Sequence, residues 1–147
     1  MAVTPWDSHP TAAGNQKATE EFVPLLNVFY HRWKGYTTPD TTPPAAITDL
    51  SASNPTKNSI KLSWTAPGDD GNVDTASTYD IRYSTSIITE ANWDSATQII
   101  GEPSPSAPGT SQSMTVTGLN PSTTYYFAIK TSDEVPNMSN LSNIASE

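Results

Sequence analysis

Asp7 and His9, near the start of the chain, have the residue types and spacing that acid–base chemistry uses. They lie in the stretch WDSHPTAAG, residues 6–14. A histidine can take the proton of a serine hydroxyl, and a carboxylate beside that histidine orients it. Such a pair hydrolyses an ester only together with a nucleophilic serine and donors for the oxyanion. No block in the 147 residues supplies them, so we expect this chain to be non-catalytic.

The charge balance argues against two classes of partner. The chain has 15 Asp and Glu against 7 Lys and Arg, a net charge of −8. Nucleic acids and anionic membrane surfaces repel such a chain, so we expect neither as a partner. Residues 45–147 hold 11 of the acidic and 4 of the basic residues. There is no cysteine, which excludes disulfides and thiolate metal sites.

No membrane insertion is expected. No apolar run approaches the ~18 residues that span a bilayer. The first residues also lack the basic start and apolar stretch of a signal peptide.

A helix is predicted over residues 11–34, ahead of the acidic part. Its apolar residues recur at steps of three and four and therefore share one face, which Pro24 should kink. The candidate interface residues on this face are Phe22, Leu25, Leu26, Phe29 and Trp33. Exposed together they would form a large apolar patch, so we expect the face to pack on the same chain, on a second copy or on a domain of a parent enzyme.

Residues 36–46, YTTPDTTPPAA, predict a stiff linker rich in Thr and Pro.

From Ile47 onward the apolar period changes to two, as in strands with one buried face. The alternation is clearest in SIKLSW and TYDIRYS, where the residues on one face are Ile60, Leu62, Trp64, Tyr79, Ile81 and Tyr83. Six or seven short strands with turn signals between them predict a β-sandwich.

Residues 43–147 resemble the fibronectin type III domain. The resemblance rests on PPAAITDLSAS at the entry, a lone Trp64 on the second strand, YDIRYS on the third, and LNPSTTYYFAIK, which fits an L-x-P-x-T-x-Y pattern. It implies a mainly β fold: a seven-stranded, immunoglobulin-like sandwich, preceded here by the Pro-kinked α-helix. Trp64 and Tyr125 would be structural residues, with the ring of Tyr125 buried and its hydroxyl bonded to nearby backbone.

The segment DSHPTAAGNQKATEEFVPLLN resembles the last conserved block of SGNH/GDSL-type hydrolases. That resemblance implies His9 as the base and Asp7 as its orienting carboxylate. The family usually places the Asp three residues before the His, where this chain has Trp6, and the Gly-Asp-Ser block is absent here. We therefore expect residues 1–35 to be an incomplete, vestigial hydrolase segment, 36–46 a linker and 47–147 the sandwich domain.

In a type III sandwich, the loops with the sequences GDDGNVD and SDEVPN would lie at the same end of the sandwich. The carboxylates that they would gather there are Asp69, Asp70, Asp74, Asp133 and Glu134. Clustered oxygen ligands suit Ca²⁺, so a weak calcium site is one hypothesis. The alternative is a solvated acidic rim, and no other cofactor is expected. Two sequons, at Asn137 and Asn140, are candidate glycosylation sites.

Two functions remain open. The first is a non-catalytic extracellular module from the C-terminal part of a secreted SGNH/GDSL-like protein, serving as a spacer, adhesion or binding unit. The second is a structural subunit of an extracellular fibre or surface assembly, in which the helix docks onto a neighbouring protomer. Carbohydrate is a further candidate partner, to which Tyr36 and Trp93 could offer aromatic rings.

Overall fold

The computed structural model describes residues 40–135 and 137–147. The predicted helix lies outside them, with its apolar face of Phe22, Leu25, Leu26, Phe29 and Trp33, and so do Asp7 and His9.

The described residues form two antiparallel sheets. Their strands are β1 (Ser51–Ser53), β2 (Ser59–Thr65), β3 (Thr78–Ser84), β4 (Thr97–Gln98), β5 (Ser111–Thr117), β6 (Tyr126–Ser132) and β7 (Ala145–Ser146), with a 3₁₀ helix at Glu90–Ser95. One sheet has the order β1-β2-β5 and the other β4-β3-β6-β7. The two-sheet, mainly β fold predicted from the sequence is confirmed.

The main core lies between the sheets and follows the period of two. On β2, Ile60 is 5% exposed and Leu62 is fully buried, while the intervening Lys61 is exposed; Trp64, two residues on, is 2% exposed. Trp64 meets Tyr79 of β3 edge to face, with 5.3 Å between the ring centres. Each large apolar side chain buried in this way contributes about 1.5–3 kcal/mol to folding.

The first strand is shorter than the alternation from Ile47 predicts. Ile47 and Leu50 are buried, but only Ser51–Ser53 pair with β2. Beyond Ser51, a side chain replaces the strand: Oδ1 of Asp49 accepts the N–H of Thr65 on β2 at 3.0 Å. On the side away from β2, Oδ1 of Asn143 accepts the backbone N–H of Leu50 at 2.9 Å, and Nδ2 of Asn143 donates to the Leu50 carbonyl at 2.9 Å. One amide side chain thus provides the bonds that a neighbouring strand would otherwise make at Leu50.

A second, smaller core lies on the outer face of the four-stranded sheet. The segment between β3 and β4 folds back over that face and buries Ile88 and Trp93 against Ala128 of β6. Residues on a strand alternate between faces, so Ala128 points away from the main core that holds its neighbours Phe127 and Ile129.

The chain enters and leaves the sandwich at opposite ends. Thr78 of β3 pairs with Ser132 of β6, so the β2–β3 and β6–β7 loops lie at the same end, the loop pole. There Gly71 donates its N–H to Pro43 at 3.1 Å and accepts that of Ala45 at 3.0 Å. At the other end, Glu147 exchanges two backbone hydrogen bonds with Tyr125, of 3.0 and 3.2 Å.

Candidate functional site

The β2–β3 loop is held closed by its own backbone. Asp69 donates its N–H to the carbonyl of Val73 at 2.7 Å, and Val73 donates to the carbonyl of Asp70 at 3.1 Å. The loop then passes so close to Gly68 that a Cβ there would lie 2.3 Å from the backbone nitrogen of Val73. Only glycine fits at this position, and the tight loop fixes where the acidic residues lie.

The carboxylate of Asp133 organises the other loop of the pole. Asp133 is 3% exposed. Its Oδ1 accepts the backbone N–H groups of Val135 at 3.0 Å and Asn137 at 2.8 Å, and its Oδ2 accepts Nδ2 of Asn137 at 2.7 Å. These bonds turn the chain back toward β6, so this carboxylate has a structural task within its own loop.

The structure brings two of the five predicted calcium ligands together. A carboxylate oxygen of Asp69 and one of Glu134 lie within 4.8 Å of each other. Asp70 and Asp74 are exposed, and Asp74 adopts a φ of 55° at the end of the turn. Within the described ranges, no three of the five carboxylates gather at that spacing.

The two sequons run beside β6, and their serines have structural roles. Ser139 and Ser142 are buried, and their hydroxyl oxygens accept the backbone N–H groups of Thr131 and Ile129, each at 2.9 Å. Asn140 is exposed, whereas the side chain of Asn137 donates to Asp133. Serine hydroxyls replace carbonyl acceptors here, and regular pairing with β6 is confined to β7, Ala145–Ser146.

The residues around Trp93 form a cluster of charges that sequence analysis missed. Trp93 is 6% exposed, with Cζ of Arg82 at 4.7 Å and Nζ of Lys130 at 5.1 Å from the ring centre. Nζ of Lys130 also contacts Oε2 of Glu90 at 2.5 Å, and Nη2 of Arg82 contacts Oδ2 of Asp80 at 2.9 Å. The indole is covered by these side chains and does not present an open aromatic face to a sugar.

Two side chains in this cluster have pKa values that are shifted so as to favour their charged forms. The hydrogen bond from Lys130 lowers the pKa of Glu90, and the backbone N–H of Leu141, 2.9 Å from Oε1, lowers it further. The hydrogen bond with Asp80 raises the pKa of Arg82. Both groups are therefore held in their charged forms beside the ring.

Tyr125 lies at the turn between β5 and β6. Its ring is 5% exposed, and its hydroxyl oxygen accepts the backbone N–H of Asn120 at 3.1 Å. The bond ties the turn to the residue that precedes β6.

A family model of the fibronectin type III domain matches residues 44–142. The chain belongs to this family. The fold is similar to the chicken CNTN1 FN1–FN3 domains, with 19% identity and a TM-score of 0.51 over 71% of this chain and 32% of that one. It is also similar to titin kinase and its flanking domains, with 17% identity and a TM-score of 0.51 over 73% of this chain and 17% of that one.

A shorter stretch is similar to a curated protein. It is 56% identical over 50 residues to the calcium-activated chloride channel regulator 1 of Mus musculus, which covers 34% of this chain. The chain spans only 6% of the length of that relative. The family model confirms the fibronectin type III prediction for the sandwich. The hydrolase resemblance stays a prediction, since its residues lie outside the described ones.

In the part of the chain that the structure describes, no helix has the length and apolar character needed to cross a membrane.

Proposed function

We propose that this fibronectin type III domain works as a non-catalytic extracellular spacer that also offers a binding surface. The supporting observation is the position of its two ends: residues 43–45 bond to Gly71 at the loop pole, and Glu147 bonds to Tyr125 at the opposite end. A domain with this geometry separates whatever precedes it from whatever follows it by its full length.

The residue types of the sandwich support a non-catalytic role. Residues 40–147 contain neither histidine nor cysteine, the side chains most often used as a general base or a strong nucleophile near neutral pH. The extracellular location and the SGNH/GDSL-like parent belong to the same proposal. The parent is supported by the resemblance of residues 7–27 to SGNH/GDSL-type hydrolases, and the extracellular location by the fibronectin type III family.

Distance measurements on the full chain test the spacer. The chain has no cysteine, so pairs of introduced cysteines can carry spin labels without background. A seven-residue strand spans about 23 Å. Labels at Asn72→Cys and Thr124→Cys, one beyond each end of the strands, should therefore show one narrow distance of roughly 30 Å or more. Labels at Asn72→Cys and Glu134→Cys, both at the loop pole, are the control and should lie much closer. A broad or short distance for the first pair would contradict the spacer.

Turnover of p-nitrophenyl acetate tests the non-catalytic part of the proposal. We expect the full chain to show no hydrolysis above background. Activity that disappears in His9→Ala would instead show that the N-terminal segment is a working site.

Calcium binding at the loop pole remains a prediction from the sequence. Comparing the melting temperature in EDTA with that in millimolar Ca²⁺ tests it, and equal values would remove the hypothesis.

A further inference from the structure

Among residues 40–135 and 137–147, four strands lie at sheet edges, and one of them differs from the other three. β4 and β7 have two residues each and β1 has three, whereas β5 has seven. Short edges offer little backbone for pairing with another chain. β5 is also regular: all of its residues are in register with β2, and Ser-Gln-Ser-Met-Thr-Val-Thr contains no charge, proline or glycine. It lacks the devices that usually block edge-to-edge pairing.

The hydrogen bonds of β2 show which backbone groups of β5 face outward. The N–H of Thr65 points to the β1 side, where it donates to Asp49 Oδ1 at 3.0 Å. The N–H of Ala66 points to the β5 side and donates to the carbonyl of Thr110 at 2.9 Å. Backbone groups alternate along a strand, so the even-numbered residues of β2 bond to β5. The register then places outward the N–H and C=O groups of Ser111, Ser113, Thr115 and Thr117.

These outward groups are accessible within the described part of the chain. All four residues that carry them are exposed. The crossing segment that precedes β5 bonds to the side chain of Gln112, through the N–H of Ser106 and the carbonyl of Ser104, both at 3.0 Å. No hydrogen bond among the described residues reaches the outward backbone groups of Ser113, Thr115 or Thr117.

We propose that the outer edge of β5 pairs antiparallel with β5 of a second copy of this chain. A two-fold axis at Met114 brings the whole strand of one copy against the whole strand of the other. In that register Ser113 of one copy faces Thr115 of the other, and Ser111 faces Thr117. In each of these pairs a serine of one copy faces a threonine of the other. Such cross-strand pairs of hydroxyl residues stabilise antiparallel sheets. The same patch serves both copies, so the assembly closes as a dimer.

Charge favours a second copy at this edge over other surfaces of the domain. Residues 45–147 carry 11 acidic and 4 basic groups, so most approaches of two copies bring carboxylates together. β5 has no charged residue, and the exposed charge on the adjacent strand is Lys61, in register with Thr115. The net charge of −8 still repels at a distance, so added salt should strengthen the dimer. A basic peptide bound at the same edge would show the opposite salt dependence.

Sedimentation velocity on the full chain, from micromolar to millimolar concentration at low and high salt, tests the proposal. A seven-residue edge makes a small interface, so we expect a dissociation constant on the order of 10⁻⁴ M that falls as salt rises. Ser113→Glu places a carboxylate on the edge and should leave the protein monomeric. Ser63→Glu is the matched control. Ser63 is the register partner of Ser113 on β2, so this substitution adds the same charge one strand away from the edge.

Thr115→Pro provides a second disruption if Ser113→Glu proves unstable. Proline removes one outward N–H, which an edge strand tolerates because that group faces solvent in the monomer. A wild-type protein that stays monomeric at millimolar concentration and high salt overturns the proposal. Dimerisation of the folded Ser113→Glu or Thr115→Pro variant at wild-type strength overturns it as well, because the contact would then lie on another surface.

Discussion

Arg82 covers Trp93 from the neighbouring strand and also bonds to its backbone. The Cζ atom of the guanidinium lies 4.7 Å from the ring centre, and Nη1 donates to the carbonyl oxygen of Trp93 at 3.1 Å. This one side chain fastens the segment before β4 to the outer face of the sheet. The second core therefore depends on a few contacts whose loss can be measured.

Replacing Trp93 with alanine should destabilise the domain by about 3 kcal/mol, the low end for removing a large buried aromatic side chain. The reason is that Ile88 and Ala128 lose the ring that covers them. Urea unfolding followed by circular dichroism measures the change. Ile87→Ala is the control, since Ile87 belongs to the same segment but is 59% exposed and should cost little. Equal losses in the two variants would show that the segment does not form a core.

Glu90→Gln should lower stability near pH 7 and have less effect in acid. The pKa of Glu90 is lowered from its usual 4.5 in the folded state, chiefly by Lys130. The stabilisation is therefore present above the unfolded pKa and is lost as the pH falls through the lower, folded value. Urea midpoints of wild type and Glu90→Gln should differ at pH 7 and converge as the pH falls into the acid range. Glu90 is largely exposed, so the difference should be small, and a gap that widens in acid would contradict the assignment.

Gly68→Ala should cost about 2 kcal/mol or more, within the usual range for overpacking a tight site. The added Cβ meets the backbone of Val73, which cannot move aside as the end of a flexible side chain could. Thermal unfolding measures the loss. Asn72→Ala, in the same loop but exposed, is the control. Wild-type stability in Gly68→Ala would mean that the backbone of Val73 lies farther from Gly68.

Tyr125→Phe should cost about 1–2 kcal/mol, because the N–H of Asn120 loses its acceptor while the ring still fills its place. Tyr126→Phe is the matched control at the next position, where the side chain points to the opposite face of the sheet. Chemical denaturation of the two variants separates the hydroxyl from the ring. A larger loss in Tyr126→Phe would remove the structural role of this hydrogen bond.

The local pattern was enough to predict the strands of the main core. In SIKLSW and TYDIRYS each buried residue is followed by a more exposed one, so a period of two identifies the inward face without knowledge of the partners. The second core has no such signal. Trp93 is a single aromatic in the polar run EANWDS, and its burial depends on Arg82 and Lys130, which come from two different strands.

The acidic loops show the same limit at the candidate site. The sequence predicted that they would meet at one end, and Asp69 and Glu134 do lie close together. It could not predict that Asp133 turns inward, because that depends on the backbone N–H groups of Val135 and Asn137 aligning with one carboxylate. The composition gives the number of acidic residues in a loop. Local hydrogen bonds determine which of their carboxylates remain available to a ligand.

The attachment of the first and last segments of the sandwich to opposite ends also has a mechanical consequence. Tension along the chain would act first on the hydrogen bonds between Pro43, Ala45 and Gly71 at one end, and on the two-residue pairing of β7 with β6 at the other. Both attachments are short, while the long ladders β2–β5 and β3–β6 lie behind them. Under load the domain should therefore lengthen in steps, releasing its terminal segments before the sandwich itself gives way.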